Sequence, residues 1–566
     1  MSEKRGAIGR APFWGALLAL AALVLALLAG IFLPVYTDEI GWRFQERAGF
    51  DGVDKMYSEV CGLATLASPP WFMWPARWYS ALFNGLFPEP IWLRLSGVFY
   101  ALAWLGLALL LLRRLTRNRE NRAFIAMIGP GLLALGTLPL VLVWSRPEQP
   151  IMLAAAGALL IAFADRATMP RPETTTRAAW LRSLGIVALF ALAVSYHVKG
   201  VFLFPLIAGC LLFASRGKHA HVPRIVAAGL TVATTVSALS YWRARFDCPE
   251  NEVLATSYAR QNLSAELFQI GSLQDGLTLL GALLNNVRLL EYVANIGPQD
   301  DPLSHWLQHN QIETQASFYW FLALAAAWSL ALLLALIVIV WRGWTDLRAR
   351  HLDPRIALAV LCLVIAAGWS ATQNVRNVYE AKFVLPLLVL AIMLALSAGV
   401  PKWLEAARNL IAAGIALFAV VSPIGIAMIY APSLAAATQQ GGYVEKQPFS
   451  VSVFNYGREK QQIEAAARLC GIDTGPASRA VMFDDATYPA LIHTRLPQHY
   501  LGVIGGWNGK IADPLDYLQS RQSSGALISC RLFEEYLPID ARRVGNYCCL
   551  APQDLSSLSK PASRSP

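Results

Sequence analysis

Charged residues are scarce. Asp, Glu, Lys and Arg make up 15% of 566 residues, while 56% are apolar on the AVILMFWYC count, and the mean hydropathy is +0.44. A chain of soluble domains carries about a quarter of its residues charged, so that class is excluded. The sequence contains no G-x-x-x-x-G-K-[ST] loop, which removes a P-loop ATP site. Its eight cysteines include no Cys-x-x-Cys pair and stand beside no histidine cluster, so the spacing of a zinc knuckle is missing. No internal repeat of fixed period is evident.

Long apolar runs are present instead. They fall at 13–33, 94–112, 123–144, 150–164, 182–196, 200–214, 224–241, 318–341, 356–371, 381–397 and 409–431, about eleven spans of the length that crosses a hydrocarbon layer as helix. The expected fold is an all-α polytopic membrane bundle. The first run follows Lys4, Arg5 and Arg10 but is longer than a signal core and lacks a clean cleavage site, so it reads as an anchor. The net charge of +10 resides mostly in short loops, among them Arg113 to Arg122 (RRLTRNRENR), Arg166 to Arg182, Arg216 to Arg224 and Arg342 to Arg355. All lie on the side of the N-terminus, which the positive-inside rule makes cytoplasmic. That use of basic residues implies no nucleic-acid partner.

The opposite, external side receives the long segments 34–93 and 243–317 and everything after Tyr430. Residues 1–431 are therefore expected to form the membrane domain. Residues 432–555, more polar and punctuated by glycine, are expected to form a small α/β domain, with a helix near 457–469 and strands near 479–483, 500–504 and 526–530. The end, 556–566, reads as a disordered tail. Six cysteines fall outside the membrane on this topology. Cys470 and Cys530 can each bond one of the adjacent Cys548 and Cys549, and Cys61 can bond Cys248.

Ionisable residues near membrane depth are costly and point to function. Four places stand out, all at the external ends of spans. Thr37-Asp38-Glu39 follows the first run; its acids suit a desolvated general base, or else a helix N-cap. Ser145-Arg146-Pro147-Glu148-Gln149 forms a tight external turn, in which Arg146 suits a phosphate or carboxylate, or else pairs with Glu148. His197-Val198-Lys199-Gly200 joins two short spans almost without a loop, so Lys199 should dip below the surface and need an anionic partner. Gly200 permits close approach, and His197 is either a site residue or a buried core imidazole. In the stretch from Gln373 to Lys382, Arg376 and Tyr379 would share a face of a continuous helix, while Lys382 is expected to snorkel to the interface.

The order and shared side of these motifs resemble the GT-C superfamily of integral-membrane glycosyltransferases. That class uses polyprenyl-phosphate sugars and includes the lipid A aminoarabinose transferase and the protein O-mannosyltransferases. The resemblance covers about three quarters of the chain, but matches no motif in the terminal domain. It implies Asp38 or Glu39 as catalytic base, with Arg146, Lys199 and Arg376 binding the donor phosphate. Glu148, His197 and Tyr379 then complete the substrate site. It likens the stretch from Phe50 to Pro90, with Trp71, Trp74, Trp78, Tyr79 and the nearby Trp92, to interfacial helices, though an aromatic belt explains those rings equally. The implied reaction moves a sugar from a polyprenyl-phosphate donor to a lipid-linked or surface glycan with inversion, on the extracytoplasmic face of a cell inner membrane. Two adjacent acids can hold Mg²⁺ or Mn²⁺, but the cations make a metal unnecessary, so no cofactor is expected. The rival readings are a polyprenyl-lipid flippase, which would need charge or broken helices at mid-membrane, and a non-catalytic scaffold.

Overall fold

The computed structural model describes residues 11–36, 39–40, 78, 82, 86–87, 89–165, 174–215, 217–246, 263, 271–296, 314–439, 450–451, 453, 456–474, 481–484, 486–491, 498–499, 525–530 and 541–551. Asp38, the Cys61 and Cys248 pairing, most of the tryptophan-rich segment, the strand expected at 500–504 and the tail 556–566 lie outside these residues.

The membrane part is helical, as the apolar runs dictate. Its elements are α1 (Ala11–Ala29), α2 (Pro90–Leu115), α3 (Arg119–Leu132), α4 (Leu138–Leu142), α5 (Glu148–Ala162), α6 (Thr176–Tyr196), α7 (Phe204–Phe213), α8 (His221–Phe246), α9 (Leu273–Asn285), α10 (Leu289–Ala294), α11 (Thr314–Arg348), α12 (Pro354–Thr372), α13 (Ala381–Ser397) and α14 (Glu405–Gln439). Among the described residues eight helices are long and apolar enough to cross a membrane, which makes this a multi-pass membrane protein. Three of the eleven expected spans are not full-length helices: 123–144 is broken into α3 and α4, and α5 and α7 are short.

Local chemistry sets the ends. α2 starts with Pro90 at its first position and ends on Arg113 and Arg114, which complement the helix dipole. Asn118 caps α3, Thr175 caps α6 and Asp353 caps α12, each side chain accepting a backbone N–H. α13 occupies the centre. Every residue from Ala381 to Ser397 is buried, as befits a helix apolar nearly all round, and α3, α5, α11 and α12 pack about it. Its first turn carries Lys382, so that lysine is delivered into protein rather than toward lipid.

Beyond the membrane part lies a five-stranded mixed sheet in the order β4-β3-β5-β7-β6, built from β3 (Met482–Phe483), β4 (Gln498–His499), β5 (Ala526–Ser529), β6 (Arg542–Val544) and β7 (Tyr547–Leu550). β3 runs parallel to β4 and β5, and β7 is antiparallel to β5 and β6. Helix α15 (Tyr456–Leu469) packs on β6 and β7, and a short helix, α16 (Tyr488–Leu491), completes the domain. The small α/β domain expected from composition is present. Disulfides Cys470–Cys549 and Cys530–Cys548 staple it, which settles which of the adjacent cysteines each partner takes.

This domain is fastened to the membrane part. β1 (Val35–Tyr36), just after α1, pairs antiparallel with β2 (Ser450–Val451). Val35, Ile40 and Leu93 are buried in one apolar core with Tyr456, Ile463 and Phe483. Residues on both sides of the first acidic motif are thus held by the terminal domain.

Candidate active site

Glu39 is fully buried and its carboxylate is engaged at both oxygens. Oε1 accepts from Arg94 Nη2 at 2.7 Å and Oε2 from Arg94 Nη1 at 3.2 Å, while Oε2 also accepts the Ser145 N–H at 2.6 Å. Arg94, itself fully buried, spends its remaining donors on the carbonyls of Leu33, Pro34 and Val143. A bidentate guanidinium–carboxylate pair of this kind fixes geometry as well as charge. Here it locks the end of α1 and the start of α2 to the turn before α5. Gly97 makes the approach feasible, since a Cβ there would lie 1.8 Å from the Val143 oxygen.

That turn presents Arg146 and Glu148. Glu148 opens α5, where a carboxylate is favoured by the helix dipole, and it is the hub of the rim. Its Oε1 lies 2.7 Å from Lys199 Nζ; its Oε2 lies 3.4 Å from Arg146 Nε and 3.8 Å from Lys382 Nζ. Lys199 also reaches Glu380 Oε1 at 3.1 Å, and Glu380 Oε2 accepts from the indole of Trp369. Three cations therefore converge on two carboxylates. All five side chains are less than a tenth exposed, so each is held by the others rather than by water. The Tyr379 ring lies under the Arg146 guanidinium, 3.9 Å away, and the Lys199 ammonium stands 5.0 Å from the Trp369 ring, geometry that favours desolvated cations.

Lys199 is placed by its local chain. His197 adopts an extended conformation after α6, and its Nδ1 accepts the Lys199 N–H at 3.0 Å. His197 therefore caps the 3-10 turn Val198–Leu203. Gly200 lies so close to Ala193 and Val194 that a Cβ would stand 2.6 Å from backbone, so its role is close backbone approach.

The segment before α13 is not a continuous helix. A 3-10 turn, Val378–Glu380, precedes α13, so Arg376 and Tyr379 part company. Tyr379 joins Arg146, whereas Arg376 turns to Glu291 at 2.9 Å and to the Asn286 carbonyl at 2.6 Å. Lys382 does not snorkel either. It is 2% exposed and donates to the Trp144 carbonyl at 3.0 Å, because α13 is central and no lipid surface is within its reach. Buried Tyr292 of α10 stands in the electrostatic range of Glu380, Arg376 and Lys199; burial, with Glu380 adding, raises its phenol well above the usual range.

The structure thus joins Glu39, Arg146, Glu148, His197, Lys199 and Tyr379 at one rim, with Arg376 set apart on Glu291. Sequence reasoning missed Arg94 and Glu380. Arg94 was visible as an arginine at the very start of an apolar run, and Glu380 as an acid just before one, but only their burial gives them weight. Among the described residues no three His, Cys, Asp or Glu side chains converge as metal ligands.

Fold and site together define a polytopic membrane protein with a dehydrated ion-pair network at the rim that faces a disulfide-stapled α/β domain. No protein-family model matches the chain, and no curated protein matches it. Among solved structures it is similar to ArnT from Cupriavidus metallidurans bound to undecaprenyl phosphate, with 14% identity over 96% of this chain and 98% of that one and a TM-score of 0.48. It is also similar to the archaeal oligosaccharyltransferase AglB from Archaeoglobus fulgidus, in complex with an inhibitory peptide and a dolichol-phosphate, with 13% identity over 91% of this chain and 70% of that one and a TM-score of 0.40. Identities and scores this low transfer no activity to this chain.

Proposed function

We propose that this protein is a membrane glycosyltransferase of the GT-C type that moves a sugar from a polyprenyl-phosphate donor to a lipid-linked or surface glycan. The observation that carries this reading is Glu148 held among Arg146, Lys199 and Lys382 at a dehydrated rim. Three cations over two acids leave positive charge where a departing phosphate would need it, and the ion pairs hold those cations in place before substrate arrives.

Glu39 has both oxygens committed to Arg94 and Ser145, which suits positioning rather than proton abstraction. The base is therefore assigned to its neighbour Asp38. In the transfer, the acceptor oxygen attacks the anomeric carbon and gives its proton to Asp38. The bond from that carbon to the phosphate oxygen breaks, and the phosphate leaves with the bonding pair. A single displacement inverts the anomeric centre. Arg146 and Lys199 supply the field at the phosphate; Arg376, engaged by Glu291 and Asn286, is withdrawn from that role. The orientation rule places this rim on the extracytoplasmic face of an inner membrane.

The test is sugar transfer from polyprenyl-phosphate donors by protein in nanodiscs. Asp38→Asn should lower the rate at least about a hundredfold with unchanged thermal unfolding. A wild-type rate for Asp38→Asn removes the assigned base. Transbilayer movement of the lipid without sugar transfer favours the flippase.

A further inference from the structure

The two disulfides of the terminal domain lie on opposite faces of its sheet. Successive residues of a strand point to opposite sides. In β7, Tyr547 and Cys549 enter the apolar core that holds α15, as does Ala551 just beyond, whereas Cys548 and Leu550 do not. The neighbouring strands agree with that alternation. Leu527 of β5 stands opposite Cys549 and lies in the core, and Val544 of β6 stands opposite Tyr547 and packs against it. Cys549 is bonded to Cys470, which follows α15 and belongs to the same core; Cys548 is bonded to Cys530, which does not. The two bonds also differ in span. Cys470 and Cys549 are 79 positions apart and Cys530 and Cys548 are 18 apart, so the first constrains far more of the chain.

The core that contains Cys470–Cys549 is the one that receives the membrane part. Ile40 and Leu93 are buried in it, and they are the chain neighbours of Glu39 and Arg94. Each member of the bidentate pair is therefore fixed by a side chain planted in the terminal domain. The pair in turn holds the turn that carries Arg146: the Ser145 N–H donates to Glu39 Oε2, and Arg94 Nη1 donates to the Val143 carbonyl. Packed apolar groups and short hydrogen bonds thus run without a break from Cys470–Cys549 to the rim. Lys199 is anchored differently, by Glu148 and Glu380 of the bundle itself.

We infer that the terminal domain is a positioning element of the rim, and that it acts through Cys470–Cys549 and not through Cys530–Cys548. The first bond fixes the core that seats Ile40 and Leu93, and with them Glu39, Arg94 and the Arg146 turn. Loosening that core displaces the acidic side of the site and leaves the Lys199 side in place. Its effect on rate rests on the proposed sugar transfer; its effect on geometry does not.

Full-length protein in nanodiscs is compared as wild type, Cys470→Ala/Cys549→Ala and Cys530→Ala/Cys548→Ala. Exchange of the Ser145 amide, read from overlapping peptides, reports its bond to Glu39 without any turnover. In Cys470→Ala/Cys549→Ala that amide should exchange at least about tenfold faster. The kcat for sugar transfer should fall at least about tenfold, as for a displaced catalytic group, with the donor KM within about twofold of wild type. Cys530→Ala/Cys548→Ala should match wild type in all three. Ile40→Ala, which keeps both disulfides, should also speed Ser145 exchange, and it carries the test if Cys470→Ala/Cys549→Ala does not fold. Equal effects of the two disulfide removals, or wild-type Ser145 exchange in Cys470→Ala/Cys549→Ala or in Ile40→Ala, would overturn the inference. Faster exchange with an unchanged kcat would also overturn it, because the rim would then move without consequence. Absence of transfer by wild type, with Ser145 exchange responding as expected, would sink the enzyme reading alone.

Discussion

The two rims of the bundle handle charge in opposite ways. On the side where α1 begins, Arg182 pairs with Asp165 and Arg355 with Asp353, all four partly exposed, and Arg408 reaches Asn121 from the surface. Asp353 caps α12, and water carries most of the cost of charge in these groups. At the other rim Glu39, Arg94, Glu148, Lys199, Glu380 and Lys382 are all less than a tenth exposed. Dehydrated charges stabilise little in net terms and are severely unfavourable when a partner is lost. Their concentration at one end, under a terminal domain whose core takes up Val35 and Ile40 on either side of Glu39, is the reason the proposed reaction is assigned to that end.

The contrast breaks most visibly at Lys199. Lys199→Met leaves Glu148 and Glu380 facing each other without the ammonium between them, and should lower unfolding stability in detergent by about 3 to 5 kcal/mol. A loss below about 1 kcal/mol would mean that this rim is no different from the other.

Arg355→Met is the matched change on the opposite rim. Its pair with Asp353 is partly exposed, so the expected loss is at most about 1 kcal/mol, with the transfer rate unaltered. The effect has a pH signature. Burial pushes the Asp353 carboxyl up, but the hydrogen bonds and charge of Arg355 outweigh it and hold the carboxyl below its usual value. The pair's contribution is therefore complete above the unfolded carboxylate range, near pH 4, and disappears as pH falls through the depressed value. Unfolding of wild type and Arg355→Met should converge in acid; a gap independent of pH would show that the pair contributes through packing.

Much of the bundle was legible before any coordinates, because an apolar run of some twenty residues has few alternatives to a spanning helix. The basic loops, the α/β character of the terminal domain and the use of the adjacent Cys548 and Cys549 followed from composition. Arg146, Glu148 and Lys199 could be picked out because each interrupts apolar sequence at the same side. What stayed illegible depends on three-dimensional neighbours. Whether Lys382 snorkels is decided by α13 lying at the centre of the bundle, a property of packing rather than of its own sequence. The pairing of Arg376 was equally hidden, because Glu291, 85 positions earlier, gives no local sign of its approach. Arg94 looked like an ordinary span end until Glu39 was seen against it.

A smaller effect, opposite in sign, is expected in the terminal domain. Burial raises the Glu459 carboxyl above its ordinary range, against a hydrogen bond from Tyr547. A raised carboxyl favours the fold while protonated and costs stability as pH climbs through its folded value. Glu459→Gln should therefore stabilise the domain near pH 8 by up to about 1 kcal/mol, with no gain below about pH 4. Hydrogen exchange of α15 and β7 across that range reads it out, and a loss at pH 8 would place Glu459 in a hidden ion pair.

The central claim is that the buried rim exists to handle a lipid-linked sugar. The most direct test is single-turnover transfer from a labelled polyprenyl-phosphate sugar in nanodiscs, with wild type, Glu148→Gln and Arg355→Met measured side by side. We expect wild type and Arg355→Met to transfer at the same rate, and folded Glu148→Gln to be slower by about a hundredfold, because Arg146 and Lys199 lose the carboxylate that holds them in position. Equal rates for wild type and Glu148→Gln would contradict the account, as would the absence of transfer by a wild-type protein that retains the lipid.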